Sequence, residues 1–423
     1  MIWVTHNTSG IFYMYVFVNA GSIYETPKQA GISHVIEHML FKQTKHMSNK
    51  DILEESTRVG GVFNATTDSD VTYYYFKTIT EHYAKTIRIM SEILNNPVFN
   101  KNDFDSEKKV ILEELSKGMD NSDRSLWRLS TLSVIPSESP YEAKVIGSRD
   151  TITSLTTNDL HRYYNDMYKN FVVVLNCERK IEADAKHLIS RLFGSKLLSA
   201  SLVRELTVPV IPTESESKVI VLNDHANQNN FVLTFPLFER NLPLKKVLLL
   251  EFLSFVLANS GLYALLNYRL REQKGLVYTV SAMSENLKYM TFFRIFLSSS
   301  SSDTEEILST IGKTLKSLQK NGISKEDFRV FKAGFITSMF TSFVSEAYKT
   351  LVLGTQVFNT NGREHVTDKL VESTLKSFSN NDLIDISREV LKRQDMGLVC
   401  VGNFPHAQDS SESFLSYIDK YFK

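Results

Sequence analysis

Two hydrophobic periods organise the chain. Around residue 12 apolar residues run through FYMYVFV, predicting a strand at 11–18. TYYYFKTI after Val71 and the stretch 171–176 repeat that strand pattern. Elsewhere apolar positions recur every three or four residues, which predicts helices at 33–44, 48–59, 81–95, 103–118, 157–168 and 181–193. Strands and helices do not alternate regularly. That order predicts an α+β fold, with helices packed on a mostly antiparallel sheet.

The pattern then repeats. Near residue 12 a strand leads into the apolar helix GISHVIEHMLF, and near residue 230 NNFVLTFPLF leads into KKVLLLEFLSFVLA. FVVVLNC precedes a helix ending in RLFG, and GLVCVGNF precedes one ending in KYFK. A constant offset of about 220–230 residues is the mark of an internal duplication. We therefore expect two similar domains, at 1–196 and 218–423. The Pro- and Ser-containing stretch 197–217 reads as the linker between them.

Composition narrows the function classes. The 423 residues are 42% hydrophobic and 23% charged, as in a folded globular protein. Lys+Arg and Asp+Glu both total 48, so no charge imbalance points to nucleic acid or a membrane surface. Cys177 and Cys400 lie in apolar runs far apart, which predicts two buried thiols and fits a cytoplasmic or other reducing compartment. No signal peptide is recognised. VLLLEFLSFVLANSGLYALL is interrupted by Glu251, Asn259 and Gly261, and reads as a buried helix and turn, not a membrane span.

The sharpest chemical signal is His34-Val-Ile-Glu37-His38. On a helix, residues four apart share a face, so both imidazoles can reach one zinc ion. Glu37 borders the same face and is placed to take a proton from a water activated by the metal. Ser33 is the expected N-cap of this helix. A catalytic zinc needs a third protein ligand. On the helix 103–118, Phe104, Ile111 and Leu115 define the buried stripe, and Glu113 points to solvent. Glu107 and Glu114, seven apart, lie in line at the stripe's edge. Glu114 is the candidate third ligand. Glu107 is the candidate outer carboxylate that orients a ligating histidine. The remaining histidines lack ligand spacing.

HVIEHMLFKQT, followed by the pair Glu107 and Glu114, resembles the inverzincin zinc peptidases of the pitrilysin, insulysin and mitochondrial processing peptidase family. The resemblance extends through VNAGSIYETPKQAG, GGVFNATTDSDVTYYYF and SPYEAKVIGSRDTITSLTTNDL. In the second half it includes Arg271-Glu-Gln-Lys-Gly-Leu-Val-Tyr278. It implies one Zn2+ per chain on His34, His38 and Glu114, with Glu37 as base and Glu107 outside the ligands. It also implies that Arg271 and Tyr278 contact substrate near the scissile bond. The substrate would be an extended peptide or unfolded segment, added as a strand near Phe63–Thr67, with Phe63, Asn64, Ala65 and Thr66 as contacts. Family members of this size pair as clamshells, which implies a homodimer, or a heterodimer with a diverged partner. The family also contains subunits without the metal, so the alternative is a non-catalytic assembly or partner subunit. A third reading is a regulatory metal-binding module. Two departures from the family pattern are expected: the short N-terminal strand is missing or shifted, and the second domain, lacking histidine in LLLEFLSFVLA, is a metal-free binding wall.

Overall fold

The computed structural model describes residues 1–119, 122–136, 139–198, 212–223, 228–300, 303–364, 366–403 and 411–422. The expected linker lies largely outside them. In chain order the first half contains β1 (Ile2–His6), β2 (Ile11–Val18), α1 (Ile32–Leu40), α2 (Asn49–Arg58), β3 (Val62–Thr67), β4 (Thr72–Ile79), α3 (Tyr83–Asn95), α4 (Lys101–Met119), α5 (Ser122–Leu132), α6 (Arg149–Ser154), α7 (Thr157–Met167), β5 (Val172–Cys177) and α8 (Glu182–Phe193). The second contains β6 (Val219–Asn223), β7 (Asn229–Leu237), α9 (Leu244–Ser254), β8 (Thr279–Asn286), β9 (Thr291–Ser299), α10 (Thr304–Asn321), α11 (Lys325–Ser342), α12 (Glu346–Asn359), α13 (Asp368–Ser377), α14 (Asn380–Val390), β10 (Gly397–Gly402) and α15 (Ser411–Tyr421).

The fold is α+β, with two five-stranded sheets of the same topology. The first has the order β1-β5-β2-β4-β3 and the second β6-β10-β7-β9-β8. In each, one outer pair is parallel (β1 with β5, β6 with β10) and the other pairings are antiparallel. The N-terminal strand expected to be missing or shifted is present at Ile2–His6. IWVTH is too short to read as a strand by pattern alone, but its backbone pairs with β5 from Ile2↔Val173 to His6↔Cys177, and Trp3 and Thr5 are buried.

Two compact units result, and neither is a continuous half of the chain. The first comprises 1–120, 143–210 and 342–367, the second 121–142, 211–341 and 368–423. The halves expected at 1–196 and 218–423 each give up one helix: α5 belongs to the second unit and α12 to the first. In the first unit β2 is buried on both faces, which explains its unbroken apolar run. Phe12, Met14 and Val16 face the core built on Ile32, Val35, Ile36 and Met39 of α1. The opposite face, at Phe17, is covered by α12, whose Phe358 stacks on Phe17 at 5.6 Å. In the second unit Leu126 of α5 packs with Val232 and Val399, and Arg294 is held by Ser130 and Thr131.

Among the described residues no helix is long and apolar enough to cross a membrane. VLLLEFLSFVLANSGLYALL forms α9 followed by a π turn at 255–259. Cys177 and Cys400 are buried, and no disulfide joins them.

Candidate metal centre

α1 presents the His-His face at the end of a nearly all-buried helix. Ile32, Ser33, Val35, Ile36, Met39 and Leu40 are inside, leaving His34, Glu37 and His38 on the one partly open face. The expected N-cap is not Ser33. Gly31 occupies that position in the left-handed region (φ 95°), and Ser33 lies in the first turn with its hydroxyl 2.7 Å from Tyr163 OH. The capping group is Glu25. Its carboxylate accepts from the backbone N–H of Gly31 at 2.6 Å and of Ser33 at 2.8 Å. An acceptor placed there satisfies two helix-end donors.

α4 runs against α1 with Phe104, Ile111 and Leu115 buried, as its stripe predicts, and with Glu113 exposed. Glu107 is buried and Glu114 half-buried on the side facing α1. Glu114 Oε2 lies 3.8 Å from His34 Nε2 and 3.8 Å from His38 Nε2. These distances exceed a hydrogen bond's roughly 2.7–3.2 Å. Tetrahedral ligands at about 2.0–2.1 Å from zinc stand roughly 3.3–3.5 Å from one another. The three donors lie within 4.8 Å of each other, so the set fits one small cation better than it fits direct hydrogen bonding.

The two rings differ electrostatically. Burial, with His38 beside it, pushes His34 down to about 4, which leaves a neutral ring with a free lone pair. Burial acts to lower His38, but the carboxylates of Glu107, Glu37 and Glu114 together outweigh it and hold the ring above its ordinary range, with Glu107 Oε1 2.8 Å from His38 Nδ1. Glu107 is itself held low by His38 and by Lys42, despite its burial. His34 Nδ1 is buried with no hydrogen-bond partner, so only one of the two rings has an outer acceptor. Glu37 does not join the donor set. Thr67 Oγ1 donates to its Oε2 at 2.5 Å, and burial raises its pKa. Sequence reading did not single out Thr67, Glu25 or Lys42. The period-2 pattern that sets Phe63 and Ala65 toward α1 also sets Thr67 there.

β3 is an edge strand paired only with β4 among the described residues. Asp68 N–H donates to Val71 O at the hairpin end, so alternation turns the N–H groups of Phe63, Ala65 and Thr67 to the open edge. Asn64 Oδ1 accepts from the Ala65 N–H at 2.9 Å, and Asn64 and Thr66 face away from α1. Arg271 and Tyr278 lie in the second unit. Arg271 is on the π turn Asn267–Glu272, and Tyr278 precedes β8 after Gly275, which has φ 63°. Both are exposed, Tyr278 to 73%.

Two α+β units of like topology, one holding the His34, His38 and Glu114 group that could take a cation, match the architecture that the inverzincin resemblance implies. A family model described as "Insulinase (Peptidase family M16)" matches residues 2–131, and one described as "Peptidase M16 inactive domain" matches 154–335. The chain belongs to the insulinase family of peptidases, M16. It is 27% identical over 330 residues to the "Uncharacterized zinc protease YmxG" of Bacillus subtilis, covering 78% of each chain. It is 31% identical over 182 residues to the "Mitochondrial-processing peptidase subunit beta" of Caenorhabditis elegans, covering 43% of this chain and 40% of that one. Its fold matches the crystal structure of a protease from Helicobacter pylori, with a TM-score of 0.79 at 21% identity over 94% of this chain and 96% of that one.

Proposed function

We propose that the chain is a zinc metalloendopeptidase that hydrolyses extended peptides or unfolded protein segments. The observation that carries this reading is the spacing of His34 Nε2, His38 Nε2 and Glu114 Oε2 for one cation, with the Glu37 carboxylate beside them and outside the set. One zinc ion per chain would be held by His34, His38 and Glu114. It supplies a Lewis acid that polarises the scissile carbonyl and acidifies water. Glu37 takes the proton from the attacking water and returns it to the leaving amine. Glu107 fixes the tautomer and direction of His38.

The substrate backbone adds along the β3 edge, where Phe63 offers an outward N–H group, Asn64 and Thr66 flank it, and the Ala65 N–H exchanges its Asn64 Oδ1 partner for the substrate. Strand addition reads backbone, so side-chain selectivity is loose. Arg271 and Tyr278 donate hydrogen bonds to a substrate carbonyl near the scissile bond. Because each chain carries both the metal set and this pair, a homodimer with two equivalent sites is the economical assembly. Mixed His38→Ala and Arg271→Ala chains that regain activity would support sharing between copies; no recovery would oppose it.

The deciding experiment is metal analysis with cleavage of an unstructured peptide mixture, read by mass spectrometry, for wild type and Glu37→Gln. An enzyme carries about one chelatable zinc per chain and loses cleavage, but not zinc, in Glu37→Gln. A non-catalytic subunit gives equal, background cleavage for both chains.

A further inference from the structure

We propose that Thr67 is the positioning residue for Glu37, and that it acts by binding one carboxylate oxygen so that the other is left to accept the proton. The proposal rests on the metallopeptidase reading above. Two observations carry it. The Thr67 hydroxyl donates to Glu37 Oε2 at 2.5 Å, the length of a charge-assisted O–H···O bond. Thr67 lies on β3, which is paired with β4 alone among the described residues. Glu37 is thus tied through Oε2 to the strand on which the substrate backbone would lie. A general base needs an oxygen within about 2.6–3.2 Å of its proton, and a carboxylate free to turn about its last bond does not hold that distance. Thr67 is itself on firm ground: its cross-strand partner Thr72 donates to Ala20 O at 3.0 Å.

The second unit supplies a matched control. Glu251 on α9 accepts from Ser284 Oγ of β8 at 2.6 Å. Leu248 and Phe252 stand three before and one after Glu251, as His34 and His38 do around Glu37. Both are buried. The same carboxylate–hydroxyl clasp therefore exists where apolar side chains take the two histidine positions. Only a readout beyond stability separates positioning from packing.

The test compares zinc-loaded wild type, Thr67→Val, Thr67→Ser and Ser284→Ala. We expect Thr67→Val to keep its zinc and its KM within about twofold. Its kcat falls roughly ten- to hundredfold, part of the full contribution of a general base. Thr67→Ser recovers most of that loss. Ser284→Ala shifts the melting temperature as Thr67→Val does and leaves kcat unchanged. A crystal structure of Thr67→Val shows the Glu37 carboxylate turned from its wild-type direction. Wild-type kcat in Thr67→Val, no rescue by Thr67→Ser, an equal kcat loss in Ser284→Ala, or an unmoved Glu37 in the crystal would each overturn the proposal. If the wild type itself cleaves nothing in a Glu37-dependent way, the metallopeptidase reading falls, and the crystallographic arm still decides whether Thr67 sets the direction of Glu37.

Discussion

Glu107 Oε1 lies 2.8 Å from His38 Nδ1, the ring nitrogen opposite the one that faces Glu114. An acceptor there puts the proton on Nδ1 and leaves the Nε2 lone pair for a metal. Lys42 pairs with the other oxygen of Glu107 and keeps it ionised. Replacing Glu107 by alanine should weaken zinc binding about 10–100-fold. Competition with a chromophoric chelator measures this. Glu107→Gln keeps an acceptor without the charge and should fall between. Unchanged affinity in Glu107→Ala would remove Glu107 from the centre.

Metal should also stabilise the fold, because its ligands come from two helices that the unfolded chain does not hold together. Free zinc at 100 times its dissociation constant adds about 2.7 kcal/mol. We therefore expect the urea midpoint to fall on chelation and recover on adding zinc. In His38→Ala the zinc-dependent rise should be largely lost.

Gly31 is where α1 is most exposed to a backbone change. Its φ is 95°, and a Cβ there would stand 2.7 Å from Ile152 Cδ1 and 2.8 Å from Ile146 O. Gly31→Ala therefore meets both left-handed strain and a clash with backbone. It should cost on the order of 3 kcal/mol and shift the start of the helix carrying His34. Chemical denaturation checks the first effect and zinc stoichiometry the second. A substitution that costs less than about 0.5 kcal/mol would mean that the loop at Ile146 gives way freely.

Much of this was legible in the sequence, for physical reasons. β2 and β4 follow from long apolar and aromatic runs, and α4 follows from the stripe of Phe104, Ile111 and Leu115. Helical spacing put His34 and His38 on one face, because the geometry of a helix is fixed locally, and the structure brings a Glu114 oxygen within 4.8 Å of both rings. What was missed depends on contacts remote in sequence. Periodicity tells which face of α5 or α12 is apolar, not which sheet it covers, so the exchange of these helices left no local mark. Ser33 has the right side chain for a cap, but Glu25, eight residues earlier, takes the place, because Gly31 in the left-handed region turns the chain toward it. β1 has only five residues, and its pairing with β5 decides it, not its composition.

Glu25 gives a pH dependence with a definite sign. Burial pushes its carboxyl up to about 7 from an ordinary 4.5, although the Gly31 and Ser33 N–H groups pull it down. Below pH 4.5 the group is protonated in both folded and unfolded chains, and its contribution is fully present. Between 4.5 and 7 the unfolded chain loses the proton first, so stability falls as pH rises, and above 7 the contribution is lost. The rise from 4.5 to about 7 corresponds to at most about 3.4 kcal/mol. Glu25→Gln has nearly the same shape and does not titrate. In chelator, where the metal plays no part, wild type should lose stability relative to Glu25→Gln between pH 5 and pH 8. Urea midpoints of the two chains at both pH values measure this. A relative gain for wild type at pH 8 would mean that the two backbone donors hold the ionised carboxylate against its burial, and that the cap of α1 works as a charge.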